Sequence, residues 1–216
     1  MSHNLSFFQN NIVPLTNKQK RKLKRVNTGL KIKEIEPMTE TQERVFNSYY
    51  SGKNIMCHGV AGTGKTFIAT YLATQEVLSN YNDTRSLHII RSVVPTRDMG
   101  FLPGNQREKS KVYEAPYYAI FTELFERGDA YEILKGREQV HFTTTSFIRG
   151  LTINDAVVIV DECQNLNFHE LDTIITRVGQ DSKIVFCGDF DQTDLQKTNE
   201  KNGLHDFLRI LEEMDE

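Results

Sequence analysis

From Pro37 onward the chain alternates short apolar runs with longer amphipathic stretches. The runs are NIMCH (54–58), SLHIIR (86–91), residues 139–144, AVVIVD (156–161) and KIVFCGD (183–189). AVVIVD has no polar alternation, the pattern of a parallel strand covered on both faces. Between the runs the apolar positions recur at helical spacing. Thr39-Glu40-Thr41-Gln42 has capping-box spacing and predicts a helix ending near Gly52. Lys65 to about Ser79 places Phe67, Ile68, Tyr71, Leu72 and Leu78 on a helix. A helix is predicted from Pro116 to Phe125, with the proline near its first turn. Asp129 starts a short helix that ends by Gly136. Asn167, with Glu170 three residues on, caps another that runs to about Gly179. Leu204 to Glu213 reads as a final amphipathic helix. Arg91–Lys109, with two prolines and two glycines, predicts an irregular fixed scaffold rather than an element. This alternation predicts an α/β domain over 37–216, with a mostly parallel central sheet flanked by helices. Residues 1–36 show no sustained period and read as a basic N-terminal extension.

Composition narrows the class. The 216 residues suit one domain with a core, plus an arm. No apolar run approaches the roughly 20 residues of a membrane helix, and the N-terminus has no secretory pattern. Three cysteines without a paired framework suit a reducing compartment, so a cytoplasmic location is expected. Residues 1–36 hold eight Lys/Arg and two Glu, a net +6, which leaves −9 on the remaining 180 out of the overall −3. The basic run KQKRKLKR, Lys18 to Arg25, is either a phosphate-backbone contact or a solvated arm.

Gly59-Val60-Ala61-Gly62-Thr63-Gly64-Lys65-Thr66 matches G-x-x-x-x-G-K-[ST], between a predicted strand and a predicted helix. Glycines let backbone N–H groups curl around phosphate oxygens, and the helix N-terminus adds donors and a favourable dipole. Lys65 is expected to reach the β- and γ-phosphates and Thr66 to hold Mg²⁺; Phe67 completes the nucleotide-binding stretch. The loop needs a metal-organising carboxylate on a neighbouring strand. Asp161 at the end of AVVIVD supplies it, and Glu162 follows where a base orients attacking water. Asp189 and Gln192, after the last run, would stand beside the γ-phosphate if their strand neighbours that of Asp161. Gln192 would then sense phosphate or position water; the alternative is a polar turn. Gln42 either reads an adenine edge, selecting ATP, or caps its own helix. Cys57, Cys163 and Cys187 lie at or near the ends of the motif strands and are expected to pack as small buried residues.

With the P-loop, D-E-C-Q (161–164) and G-D-F-D-Q-T-D-L (188–195) in place, the chain resembles the PhoH-like family of P-loop ATPases. That family is related to the first RecA-like domain of superfamily 1 helicases. The resemblance runs from about Pro37 to Leu208. Its most specific part is Pro95, Gly100-Phe101-Leu102-Pro103-Gly104, Lys111, Tyr113 and Pro116. Phe147, Arg149, Gly150, Thr152, Asn154 and Asp155 add to it. The short length and the basic arm look like phage-encoded members. The resemblance implies a single RecA-like domain, Mg²⁺-dependent ATP binding and hydrolysis, and work on single-stranded RNA or DNA.

Helicases of that superfamily complete the nucleotide cleft with arginines from a second domain, for which this chain is too short. A homo-oligomer, a hexameric ring by preference, is therefore expected, with an arginine given in trans: Arg177 first, Arg149 second. In the helicase relatives the strand end after the P-loop helix touches nucleic acid. Arg91, Ser92 and Arg97 are thus candidate phosphate contacts, extended by Arg107, Lys109 and Lys111, with Phe101 and Tyr113 either stacking bases or packing. Two other readings stand: a nucleotide-dependent switch acting on a protein, which suits the acidic body, and a small-molecule kinase with 91–111 as a lid.

Overall fold

The structure, a computed structural model, describes residues 29–79, 81–92 and 106–189 together with Phe207 and Arg209, and of 106–110 the backbone only. The described elements follow in order: α1 (Glu40–Tyr50), β1 (Ile55–His58), α2 (Lys65–Leu78), β2 (Ser86–Arg91), α3 (Gln106–Phe125), α4 (Ala130–Gly136), β3 (Val140–Thr144), β4 (Ala156–Asp161), α5 (Phe168–Ile175) and β5 (Lys183–Gly188). Single 3₁₀ turns cover Thr145–Phe147 and Cys163–Asn165. The strands form one sheet in the order β1-β5-β4-β2-β3, and every pairing is parallel. This is the α/β architecture expected from the sequence, a parallel central sheet flanked by helices.

Each central strand divides its side chains between two cores. Val157 and Ile159 of β4, Leu87 and Ile89 of β2, and Val185 and Cys187 of β5 face one layer, with Phe46, Tyr49, Tyr71, Leu72, Tyr117 and Phe121 from α1, α2 and α3. Val158, Val160, Ile90, Ile184 and Phe186 face the other, with Leu171 and Ile174 of α5 and Phe207. The unbroken apolar run of β4 follows from this, since all six of its residues are buried. Residues just before Pro37 join the first layer. Leu30, Ile32 and Ile35 pack against it, and Lys33 N donates to Leu124 O at 2.7 Å.

Two element boundaries and one cap depart from expectation. α3 starts at Gln106, ten residues before the predicted start, and carries Pro116 in its interior. The residues ahead of the proline, QREKSKVYEA, are mostly good helix formers. Proline removes only one internal bond, to the carbonyl four residues back. Both Pro116 and that residue, Val112, lie on the exposed side of the helix. So the last part of Arg91–Lys109 is helical, not irregular. α5 has the full predicted capping box on Asn167 and Glu170, but ends at Ile175 rather than near Gly179. Ile153 N takes the carbonyl of Arg177 at 2.8 Å, and Gly179 N takes that of Ile153 at 2.7 Å. These β-bridge contacts draw the chain away from the helix. Finally, Asp129 precedes α4 without capping it, because its carboxylate is held by Arg127.

Candidate functional site

The glycine loop, 59–64, runs from the carboxyl end of β1 into the first turn of α2. Gly59 N donates to Gly188 O at 3.3 Å, which ties the loop to the end of β5. Gly62 and Gly64 have φ of +79° and +82°, a region that a Cβ disfavours. Lys65 Nζ folds back on the loop and donates to Gly59 O at 2.6 Å and Val60 O at 2.8 Å. Its ammonium is therefore already over the concave side of the loop. Thr66 Oγ1 donates to Asp161 Oδ1 at 2.6 Å, across 95 residues of sequence.

The strand that carries Asp161 is not adjacent to the P-loop strand. β5 lies between β1 and β4. Asp161 still reaches Thr66 because both stand at the carboxyl edge. The condition on Asp189 is met, since β5 does neighbour β4. Asp189 Oδ2 accepts from Ala61 N at 3.0 Å. A P-loop amide thus donates to a carboxylate, which tests the cradle directly: an N–H of the loop already binds an anionic oxygen. With Lys65 for charge and the Thr66–Asp161 pair of hard oxygen donors, the residues fit a nucleotide phosphate chain and its Mg²⁺. A cavity of about 290 Å³ is lined by the loop, Lys65, Thr66, Phe67, Asp161, Glu162, Gln164 and Asp189.

Glu162 sits at the cavity edge in the left-handed region, φ 54°. Gln164 Nε2 donates to its Oε2 at 2.6 Å, and Arg91 Nη2 stands 3.8 Å from its Oε1. Gln164 Oε1 also accepts from Asp189 N at 3.1 Å, so one amide joins the ends of β4 and β5. Gln164 went unassigned by sequence reasoning, although it is the last residue of D-E-C-Q. Tyr117, also unassigned, donates its hydroxyl to Asp161 Oδ2 at 2.6 Å. No pattern in the sequence singles it out beyond its place after Pro116.

Gln42 serves the cap of its own helix. Thr39 Oγ1 accepts from Gln42 N at 3.2 Å, as in a cap, while Gln42 Oε1 accepts from Met38 N at 2.7 Å, one residue earlier than a reciprocal box requires. Its Nε2 also lies 3.9 Å from the place a Cβ would occupy on Gly64, beside the loop. All three cysteines are buried. Burial first, then the charge of Asp161, pushes the Cys163 thiol up to about 12. A hydrogen bond donated to Cys57, and burial, raise the Cys187 thiol as well.

The candidate contacts divide. Arg91, half-buried, is paired with Glu162, and buried Ser92 donates to Asn165 O at 3.3 Å. Lys111 is exposed on α3, and Tyr113 is half-buried. Arg97, Phe101, Gln192 and the basic run 18–25 lie outside the described residues, as do the side chains of Arg107 and Lys109. Arg149 is exposed, with Nη2 3.1 Å from His169 Nε2, beside a second cavity of about 330 Å³ also lined by Thr145, Ser146, Glu170 and Thr173. That cavity lacks a phosphate-binding loop, so the chemistry favours the first for a nucleotide. Arg177 stands by the Ile153–Val178 bridge, which precedes β4 and β5, at the opposite end of the sheet from the glycine loop. Its buried Nε has no hydrogen-bond partner. Among the described residues no helix is long and apolar enough to cross a membrane.

Comparison with known proteins agrees with this geometry. The family described as PhoH-like protein matches residues 34–216. A PhoH-like protein of Synechocystis sp. is 36% identical over 160 residues, 74% of this chain and 48% of that protein. A PhoH-like protein of Mycobacterium tuberculosis is 31% identical over 184 residues, 85% of this chain and 51% of that protein. PhoH of Escherichia coli is 30% identical over 176 residues, 81% of this chain and 49% of its own length. The chain thus spans about half the length of these relatives. Among solved structures, unliganded Pif1 from Bacteroides sp. aligns with 80% of this chain and 36% of its own, at 16% identity and a TM-score of 0.35. With the family matched from Glu34 to the last residue and its phosphate loop and acidic strand in place, this chain belongs to the PhoH-like family of P-loop nucleotide-binding proteins.

Proposed function

We propose that this domain is a Mg²⁺-dependent ATPase whose hydrolysis is coupled to single-stranded RNA or DNA. The observation that carries the reading is the convergence of Lys65, the Thr66–Asp161 pair and Glu162 on one cavity. Lys65 exchanges the carbonyls of Gly59 and Val60 for phosphate oxygens, and the loop amides bind the rest of the chain, Ala61 N releasing Asp189. Thr66 and Asp161 would hold Mg²⁺, which supplies charge neutralisation to the phosphates when bound. Glu162 accepts a proton from the water that attacks the γ-phosphorus, a task suited to a half-exposed carboxylate beside the metal carboxylate.

For coupling to nucleic acid, support comes from Arg91, whose partner is Glu162 itself, and from exposed Lys111 on the following helix. A phosphodiester that recruits Arg91 would alter the surroundings of Glu162 directly. For assembly, support comes from Arg177, placed too far from its own loop to serve it, so a role in hydrolysis requires a neighbouring copy in a ring; Arg149 is the second choice. The test is steady-state phosphate release with and without single-stranded RNA and DNA at low salt. Release should need Mg²⁺, vanish in Lys65→Ala and rise with a single strand. A rate indifferent to both nucleic acids would overturn the coupling and favour action on a protein partner.

A further inference from the structure

The metal-organising carboxylate is held from two sides. Asp161 is buried, and each of its oxygens takes one short hydrogen bond: Oδ1 from Thr66 at 2.6 Å, Oδ2 from Tyr117 at 2.6 Å. Thr66 belongs to the phosphate loop and is expected of any such site. Tyr117 belongs to α3, forty-four residues away in sequence. Its ring is fully buried, with the Phe142 ring centroid 5.5 Å away. Packing alone would be served by phenylalanine. The hydroxyl adds one thing, a donor aimed at Asp161. A phenol is protonated at neutral pH and donates to the carboxylate it faces.

We propose that Tyr117 is a positioning residue for Mg²⁺-nucleotide binding: its hydroxyl fixes the plane of the Asp161 carboxylate, leaving one defined lone pair on each oxygen for the metal's water shell. This rests on the nucleotide reading above, but not on hydrolysis or on nucleic acid. Two donors on different elements define a plane; one donor leaves the carboxylate free to turn about its last bond. Loss of such an outer partner typically costs 10–100-fold in metal affinity.

The test is binding of a fluorescent ATP analogue, measured by anisotropy against Mg²⁺ concentration, for wild type and Tyr117→Phe. The expected result is a rise of about 10-fold in half-saturating Mg²⁺, with Mg²⁺-free binding unchanged within about twofold, because Lys65 and the loop amides are untouched. A merely structural role would weaken both in parallel, together with thermal stability, and that outcome overturns the assignment, as does an unchanged Mg²⁺ dependence. Should Tyr117→Phe fail to fold, ring-fluorinated tyrosine at 117 keeps the packing and strengthens the donor; a Mg²⁺ midpoint unmoved by it is equally fatal. Wild-type protein that binds nucleotide with no Mg²⁺ dependence sinks both this assignment and the reading beneath it.

Discussion

Lys183 at the start of β5 and Glu76 near the end of α2 form a half-enclosed ion pair at the end of the sheet away from the nucleotide. Lys183 Nζ lies 2.9 Å from Glu76 Oε2, donates to Tyr49 O at 3.3 Å, and stands 3.9 Å from the centre of the Tyr49 ring. Thr84 holds the other Glu76 oxygen at 2.7 Å. Burial works to raise the Glu76 carboxyl, yet its donors outweigh it and the net shift is downward. Lys183→Met keeps the aliphatic stem and removes the charge, leaving a poorly solvated carboxylate. Breaking a buried pair costs about 3–5 kcal/mol. The side chains here are 16% and 18% exposed, which places the loss near the low end, about 3 kcal/mol. In a domain of this size that lowers Tm by about 6–12 °C. Glu76→Gln with Lys183→Met removes both charges and should recover most of it, giving a coupling energy of about 2 kcal/mol in a double-mutant cycle. Thermal and urea denaturation measure both. A single variant melting within about 2 °C of wild type, or losses that simply add, would refute the account. Nucleotide binding should survive in all three variants.

Other outcomes follow from particular contacts. His88 stacks on His141 at 4.5 Å, and burial, with that neighbour, lowers its pKa to about 4. Below about 6.5 the unfolded chain then binds a proton that the folded one refuses, so stability falls between pH 6.5 and 4, by on the order of 3 kcal/mol; urea midpoints across that range, flattened in His88→Gln, check it. Gly188→Ala would place a Cβ 2.6 Å from Cys163 Sγ and 2.8 Å from Gln164 Oε1. It should cost about 1–3 kcal/mol and weaken nucleotide affinity, because the displaced turn carries Gln164 and adjoins Glu162; equal affinity by anisotropy would contradict that placement. Glu162→Gln should leave ATP binding intact and reduce phosphate release at least about 100-fold; a smaller effect would remove Glu162 from the role of base.

The strand runs and the phosphate loop were legible because their causes are local. A β-branched run covered on both faces needs only to be apolar, and a loop that wraps phosphate needs glycines at fixed spacing. The ends of α3 and α5 were less legible. Pro116 looked like a beginning because its missing N–H matters least there, whereas its exposed side of the helix tolerates it further in. α5 stopped early because a β-bridge to Ile153 engages Arg177 O and Gly179 N and draws the chain off the helix. Sequence therefore determined the class, the phosphate loop, Asp161 and Glu162. Tertiary structure alone decided that β5 stands between the two motif strands and that Gln164 joins the ends of β4 and β5. It also decided that Arg91 faces Glu162 and that Tyr117 closes on Asp161. Each is a meeting of residues far apart in the chain, and no local periodicity encodes which strand ends share an edge.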